Sequence, residues 1–269
     1  MQKPFLKWAG GKSRLCETIN KELPAGTRLI EPFVGSGSVF MNTDYDSYLL
    51  ADTNNDIIVM YQYLQNEGQT FIDYCKTFFI PANNTQTEFT KKREEFNTTT
   101  NTRLKSALFL YLNRHCFNGL CRYNSKGGFN VPFGKYDKPY FPELEMQAFY
   151  SKSKKATFIN ADFRVTMQNS TYGDVFYCDP PYVPLTDTAY FTNYTAGGFN
   201  IKDQEELRDL AISLREQDVP VLISNHSTEW TLQNYSEANI VEFEVRRTIS
   251  ADGNKRTKAK ELLALFKKP

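Results

Sequence analysis

Two short apolar runs open the regular pattern of this chain. Arg28-Leu29-Ile30-Glu31 and Tyr48-Leu49-Leu50-Ala51-Asp52 read as buried strands, because a strand covered on both faces shows continuous rather than alternating hydrophobicity. The first enters Pro32-Phe33-Val34-Gly35-Ser36-Gly37-Ser38, a glycine loop expected to lead into a helix. After the second, Asn54 starts a helical stripe through about Asn66, with Ile57, Ile58, Tyr61 and Leu64 on one face. Strand, glycine loop, helix and strand predict the opening of a doubly wound α/β sheet.

From about 70 to 116 the pattern is helical, in segments Phe71 to Phe79, Gln86 to Phe96 and Arg103 to His115. Residues 117–140 are rich in Gly, Asn and Pro with short aromatic runs, which predicts a hairpin and loops. The sheet resumes at Ala156 to Asn160 and at Val175-Phe176-Tyr177-Cys178. A loop over 183–200, a helix from about Lys202 to Gln217 and a strand from Val219 to Asn225 follow. Strands near Ile240 to Val245 and Glu261 to Phe266 are expected to end the chain as a hairpin. The expected architecture is an α/β domain of residues 1–69 and 141–269, interrupted by a mainly helical insertion of residues 70–140 that carries a β-hairpin.

Charge changes the picture more than composition does. The net charge of +1 conceals +4 over residues 1–14, −6 over 15–83, +6 over 84–138, −9 over 139–244 and +6 over 245–269. Three basic stretches separated by acidic ones suit one polyanion-binding face, or solvated charges on separate faces. Because the middle stretch is also rich in Asn, Gly and aromatics, nucleic acid is the favoured partner. No apolar run nears the ~20 residues of a membrane span, and Met1 to Trp8 lacks the apolar core of a signal peptide. Scattered cysteines at 16, 75, 116, 121 and 178 argue against a disulfide framework, and two histidines without a CxxC pair argue against structural zinc. A monomer in a reducing cytoplasm, bound to neither membrane nor metal, is expected.

Candidate chemistry sits at three strand ends. Asp179-Pro180-Pro181-Tyr182 follows the Val175 run, and its prolines end the ladder and stiffen the turn. Such a turn suits a planar ring bearing an exocyclic amine. Asp179 and a proline-turn carbonyl accept its two N–H bonds, and Tyr182 stacks on its face. Three nucleotide-type readings compete for Gly35 and Gly37. A dinucleotide fingerprint wants a third glycine where Phe40 stands, and a P-loop wants glycine where Leu6 stands. The adenosyl-methionine reading is left, with Asp52 at the second strand's end on the ribose hydroxyls.

The motifs Phe5-Leu6-Lys7-Trp8-Ala9-Gly10-Gly11-Lys12, Glu31-Pro32-Phe33-Val34-Gly35-Ser36-Gly37-Ser38 and Asp179-Pro180-Pro181-Tyr182 together resemble the Dam-type DNA adenine-N6 methyltransferases. Their order is that of the alpha group of amino-methyltransferases. The likeness extends through Tyr111-Leu112-Asn113-Arg114, Asn118 to Asn124, Phe129 to Gly134 and Leu222 to His226. It implies a Rossmann-like methyltransferase sheet with an inserted target-recognition subdomain, S-adenosyl-L-methionine as cofactor, and adenine N6 in double-stranded DNA at GATC as target. It also implies base flipping, with Asp179, Pro180 and Tyr182 as catalytic residues. Trp8, Lys12, Asp52 and Asp179 match cofactor-binding positions, with Phe33, Gly35, Ser36 and Gly37 beside them. Lys7 matches a lysine that reads a target base, and Asn118, Leu120, Arg122, Pro132 and Tyr136 match site-reading positions. Arg93, Arg114, Asn124 and Lys135 match positions near phosphates. Phe117 stands where relatives insert Tyr into the base stack, and His115-Cys116 also departs from the family pattern. Asn225-His226, after a strand, is expected to be a solvated turn.

Overall fold

The structure, a computed structural model, describes residues 1–168, 170–183, 199–246 and 258–269. Most of the loop expected over 183–200 lies outside the described residues. Strands β1 (Arg28–Glu31), β2 (Ser47–Asp52), β3 (Ala156–Asn160), β4 (Asp174–Cys178), β5 (Val221–His226), β6 (Asn239–Arg246) and β7 (Lys258–Phe266) form one sheet ordered β3-β2-β1-β4-β5-β7-β6. β1 pairs in parallel with β2 and with β4, and β4 in parallel with β5. β7 runs antiparallel to both β5 and β6, which realises the closing hairpin expected from the sequence. Every residue of β4 is buried, as its continuous apolar text requires.

The chain winds outward from β1 through β2 to β3, then returns to β4 on the other side of β1. With Ile30 opposite Phe176, the carboxyl ends of β1 and β4 are neighbours where the winding reverses. In open α/β sheets that reversal is where ligands bind.

The described helices are α1 (Cys16–Glu22), α2 (Ser38–Asn42), α3 (Asn55–Glu67), α4 (Gln69–Lys76), α5 (Gln86–Thr98), α6 (Thr102–His115), α7 (Glu143–Ser153), α8 (Phe163–Gln168), α9 (Ile201–Glu216) and α10 (Glu229–Asn234). Side-chain caps place several of their starts. Asn54 accepts from the Asp56 and Ile57 N–H groups, Thr85 and Asn101 cap α5 and α6, and Asn200 forms a capping box with Asp203. Helices α1, α7, α8 and α10 were not expected. None of the described helices is long and apolar enough to cross a membrane.

Packing divides the chain into two compact units. One comprises Met1–Cys16, Val34–Asp44 and Asp52–Asn160, and the other Glu17–Phe33, Tyr45–Ala51 and Ala161–Pro269. In the first, Phe149 of α7 stacks on Tyr61 of α3 at 4.7 Å and meets the Phe5 ring edge-on at 5.1 Å. The second is built around Ile30, Phe176, Leu207, Ile223, Leu262 and Phe266.

The hairpin expected within 117–140 is a pair of isolated antiparallel bridges, Tyr123 to Phe129 and Cys116 to Phe133, rather than a regular ladder. Pro132 has no N–H to give a ladder. The turn is instead closed by Asn124, whose Oδ1 accepts from the Lys126 and Gly128 N–H groups.

Candidate active site and nucleic-acid interface

In the first unit the glycine loop is gripped from both sides. The Gly35 N–H donates to Asp52 Oδ2 at 3.0 Å, and the Tyr61 hydroxyl donates to the Gly35 carbonyl at 2.6 Å. Gly35 has φ +46°, and a Cβ there would stand 2.9 Å from Trp8 Nε1, so both backbone and indole require glycine. Asp52 also accepts the Asn54 N–H, on Oδ1 at 2.9 Å. Burial raises its pKa and the two N–H bonds oppose that rise. Each carboxylate oxygen, holding one N–H, keeps a further lone pair for a hydroxyl. Ser36 and Ser13 both hydrogen-bond the Ser38 hydroxyl, at 3.0 and 3.2 Å. Buried Lys12 donates to the Gly10 carbonyl at 2.8 Å. Trp8, Gly35 and Asp52 are therefore brought together, with Gly37 as the residue before α2. Phe33 belongs to the second unit, where it stacks on Phe163 at 5.6 Å.

In the second unit the turn after β4 is held by side chains. The Ser224 hydroxyl donates to Asp179 Oδ1 at 2.9 Å and lies 3.1 Å from the Tyr177 hydroxyl. Gln204 Nε2 donates to the Pro181 carbonyl at 2.7 Å, and the Val183 N–H donates to Asn225 Oδ1 at 3.0 Å. His226 Nδ1 is 2.8 Å from the Val183 carbonyl, so that nitrogen carries the proton it donates. The Tyr182 hydroxyl donates to Glu261 Oε2 at 3.2 Å, and its ring meets His226 edge-on at 4.8 Å. Burial, and then the Asp179 charge, push the Tyr182 hydroxyl pKa well up. Asn225 is fully buried, which corrects the solvated turn expected at Asn225-His226. The strand carries both residues inward onto the turn.

Asp162 is a further strand-end carboxylate that the sequence motifs do not single out. It follows β3 by two residues, much as Asp52 ends β2, and it accepts from the Arg164 N–H and pairs with the Arg164 guanidinium. The strand-end rule that selects Asp52 selects it equally.

The first unit also carries the residues expected to meet DNA. The Lys7 backbone is fastened twice to the Asn113 amide, N–H to Oδ1 at 2.9 Å and carbonyl from Nδ2 at 2.8 Å. The Lys7 ammonium lies 4.0 Å from the centre of the Tyr136 ring, whose hydroxyl accepts the Asn118 N–H at 3.0 Å. Burial, then the Arg114 charge, lower the Lys7 pKa. Arg122 is exposed, with its Nε donating to Asn130 Oδ1 at 2.8 Å. On either side of it, the Tyr123 hydroxyl donates to Asp56 Oδ2 at 2.8 Å and Asn54 Nδ2 to Cys121 Sγ at 3.6 Å. Phe117 is 50% exposed, enough for a stacking role without the tyrosine hydroxyl. Pro132, Asn124 and Lys135 are exposed and Leu120 half-buried. Arg93 donates to the Val131 carbonyl at 3.2 Å. Arg114 is buried against the Tyr140 ring, and its Nε has no hydrogen-bond partner among the described residues.

His115, buried at the end of α6, donates from Nδ1 to the Tyr111 carbonyl and stacks on that ring at 4.0 Å. Burial lowers its pKa to about 4, from the usual 6.5. The unfolded chain therefore takes up a proton between pH 6.5 and 4 that the folded chain refuses, so stability falls as pH drops through that window. The whole window is worth about 3 kcal/mol. The urea midpoint of wild type is expected to fall between pH 7 and pH 4.5, and His115→Phe to flatten that slope. An identical slope in both proteins assigns the acid sensitivity elsewhere.

A family model described as D12 class N6 adenine-specific DNA methyltransferase matches residues 8–249. The chain is 53% identical over 264 residues to a DNA adenine methylase of Serratia marcescens, covering 98% of both. It is 50% identical over 266 residues to the DNA adenine methylase of Vibrio cholerae, covering 98% of this chain and 96% of that one. Identity to the DNA adenine methylase of Escherichia coli (strain K12) is 46% over 263 residues, covering 98% and 95%.

Proposed function

The chain belongs to the D12 class of N6 adenine-specific DNA methyltransferases, and from that premise we propose that it carries the methyl group of S-adenosyl-L-methionine to adenine N6 at duplex GATC sites, on a base turned out of the helix. S-adenosyl-L-methionine, when bound, supplies a methyl group on a sulfonium that leaves as a neutral thioether, so departure needs no acid. The first unit fits that donor. Asp52 has a lone pair per oxygen for the ribose hydroxyls, the Gly35 backbone leaves room for close approach, and Lys12 supplies positive charge for a carboxylate.

The observation that carries the reading is the turn at Asp179. The amine lone pair of adenine is delocalised into the ring. An acceptor for each amine hydrogen, Asp179 and the Pro180 carbonyl, favours the pyramidal and nucleophilic nitrogen. Positioning and electrostatics then do the work of an in-line displacement. Tyr182, fixed by Glu261 and His226, stacks on the extrahelical base and offsets part of the few kcal/mol that flipping costs.

Arg122 presents a planar fork to guanine O6 and N7, with Asn130 orienting it in advance. Lys7, Asn118 and Tyr136 read a second position, Leu120 and Pro132 pack near a thymine methyl, and Phe117 enters the base stack. Arg93, Asn124 and Lys135 meet phosphates, and Arg114 contributes charge from beneath Tyr140. Incubation with methyl-labelled donor and duplexes bearing GATC, or GATC changed at one pair, tests the reading. Label is expected as N6-methyladenine in GATC alone. Equal label in every duplex defeats the site assignment. Arg122→Ala is expected to lose about 1–3 kcal/mol of discrimination at one G·C pair, and an unchanged preference refutes its role.

A further inference from the structure

A buried polar cluster holds the backbone of the turn that follows β4. Asn225 and Tyr235 are fully buried and Gln204 is 2% exposed. They come from β5, from the residue closing α10, and from the first turn of α9. Asn225 Oδ1 accepts the N–H groups of Val183 and His226, at 3.0 and 2.9 Å. Its Nδ2 donates to Gln204 Oε1 and to the Tyr235 hydroxyl, both at 3.1 Å. The Tyr235 hydroxyl donates to Gln204 Oε1 at 3.2 Å, and Gln204 Nε2 donates to the Pro181 carbonyl at 2.7 Å.

Both amides therefore have one permitted orientation. Turning Gln204 over would point its NH2 at the Asn225 NH2 and its oxygen at the Pro181 carbonyl. Burying two amides and a phenol amid Leu207, Ile223 and Phe266 is costly unless every donor and acceptor is matched. Here the matching runs in one direction and ends on the catalytic turn. It occupies the Pro181 carbonyl and the Val183 N–H, while His226 occupies the Val183 carbonyl. The Pro180 carbonyl, between these anchors, accepts no hydrogen bond among the described residues.

We infer that Gln204, Asn225 and Tyr235 are positioning residues, which fix the catalytic turn so that the Pro180 carbonyl stays presented to the adenine amine. The inference rests on the function proposed above. Its effect belongs to the chemical step rather than to binding, because a misplaced acceptor alters the alignment of the reacting nitrogen.

The test uses Gln204→Met, which keeps the length and removes the directed amide, and Tyr235→Phe, which keeps the ring against Phe266. With GATC duplex, kcat is expected to fall on the order of tenfold to a hundredfold in Gln204→Met and less in Tyr235→Phe. KM for the donor and duplex affinity stay within about twofold. Hydrogen–deuterium exchange of the free enzyme at the Tyr182 and Val183 amides, which follow the two prolines, is expected to rise in both, with β4 and β5 unchanged. If Gln204→Met folds poorly, Tyr235→Phe carries the same readouts. Wild-type kcat and exchange in a folded variant overturn the inference, as does a kcat loss that parallels the loss of folded protein. Raised exchange at the turn in a protein whose wild type leaves GATC unmethylated upholds the clamp and overturns the proposed function.

Discussion

Asp179→Ala is expected to leave duplex binding intact and slow methyl transfer by on the order of a hundred- to a thousandfold, the usual cost of deleting one preorganised group at a reacting centre. On the proposed function, the substitution removes an acceptor for the amine. It leaves the fold intact, because the Ser224 hydroxyl that bonds Asp179 keeps the Tyr177 hydroxyl at 3.1 Å and the Cys178 carbonyl at 3.4 Å. Lys7, Arg122 and the bridged hairpin belong to the first unit. Single-turnover transfer and a gel-shift titration on the same GATC duplex separate the effects. A joint loss of binding and transfer, with a lowered melting temperature, would make Asp179 a folding residue rather than an acceptor.

Gly119→Ala has the second large effect, on stability and recognition together. Gly119 has φ +63°, and a Cβ there would lie 2.2 Å from Lys7 Cβ. That atom is the root of the lysine side chain and cannot swing aside. Its backbone is tied on both sides to Asn113, which also donates to the Gly119 carbonyl at 3.2 Å. The left-handed conformation adds its own cost for any residue with a Cβ. The expected loss is about 2–4 kcal/mol, read from a urea midpoint, with discrimination for GATC falling as Lys7 and Asn118 shift. Wild-type stability in this variant would show that the Lys7 segment moves freely, against the double tie to Asn113.

The sheet was legible because its strands announce themselves twice, by apolar runs and by the residues that end them. Asp52 closes one run, and Asp179 with two prolines closes another. The unexpected helices lack that double signal. In α7 the buried Met146, Phe149 and Ser153 are spaced among Glu, Gln and Tyr, and Pro142 stands before them where a capping side chain would. Asn225-His226 was misread for a different reason. Polar residues after a strand look solvated when their partners are remote, and here Gln204 and Tyr235 lie 21 and 10 positions away. Periodicity reports which face is buried and cannot report a polar pair buried with it. The 117–140 segment was legible as a hairpin with loops, but not its irregularity, since Pro132 gives no N–H to a ladder and Asn124 Oδ1 takes the Gly128 N–H.

The fastening of Lys7 to α6 bears on how such a protein diversifies. A lysine whose backbone is shared with Asn113 and backed by Gly119 changes only with its frame, so three positions would have to drift together. Arg122 and Pro132 are free of that bargain, for their side chains stand at the surface while the turn is closed by Asn124. If Lys7 and the hairpin read the site as proposed, new sequence preferences in descendants of this chain should accumulate on the hairpin, and the letter read by Lys7 should be the last to change.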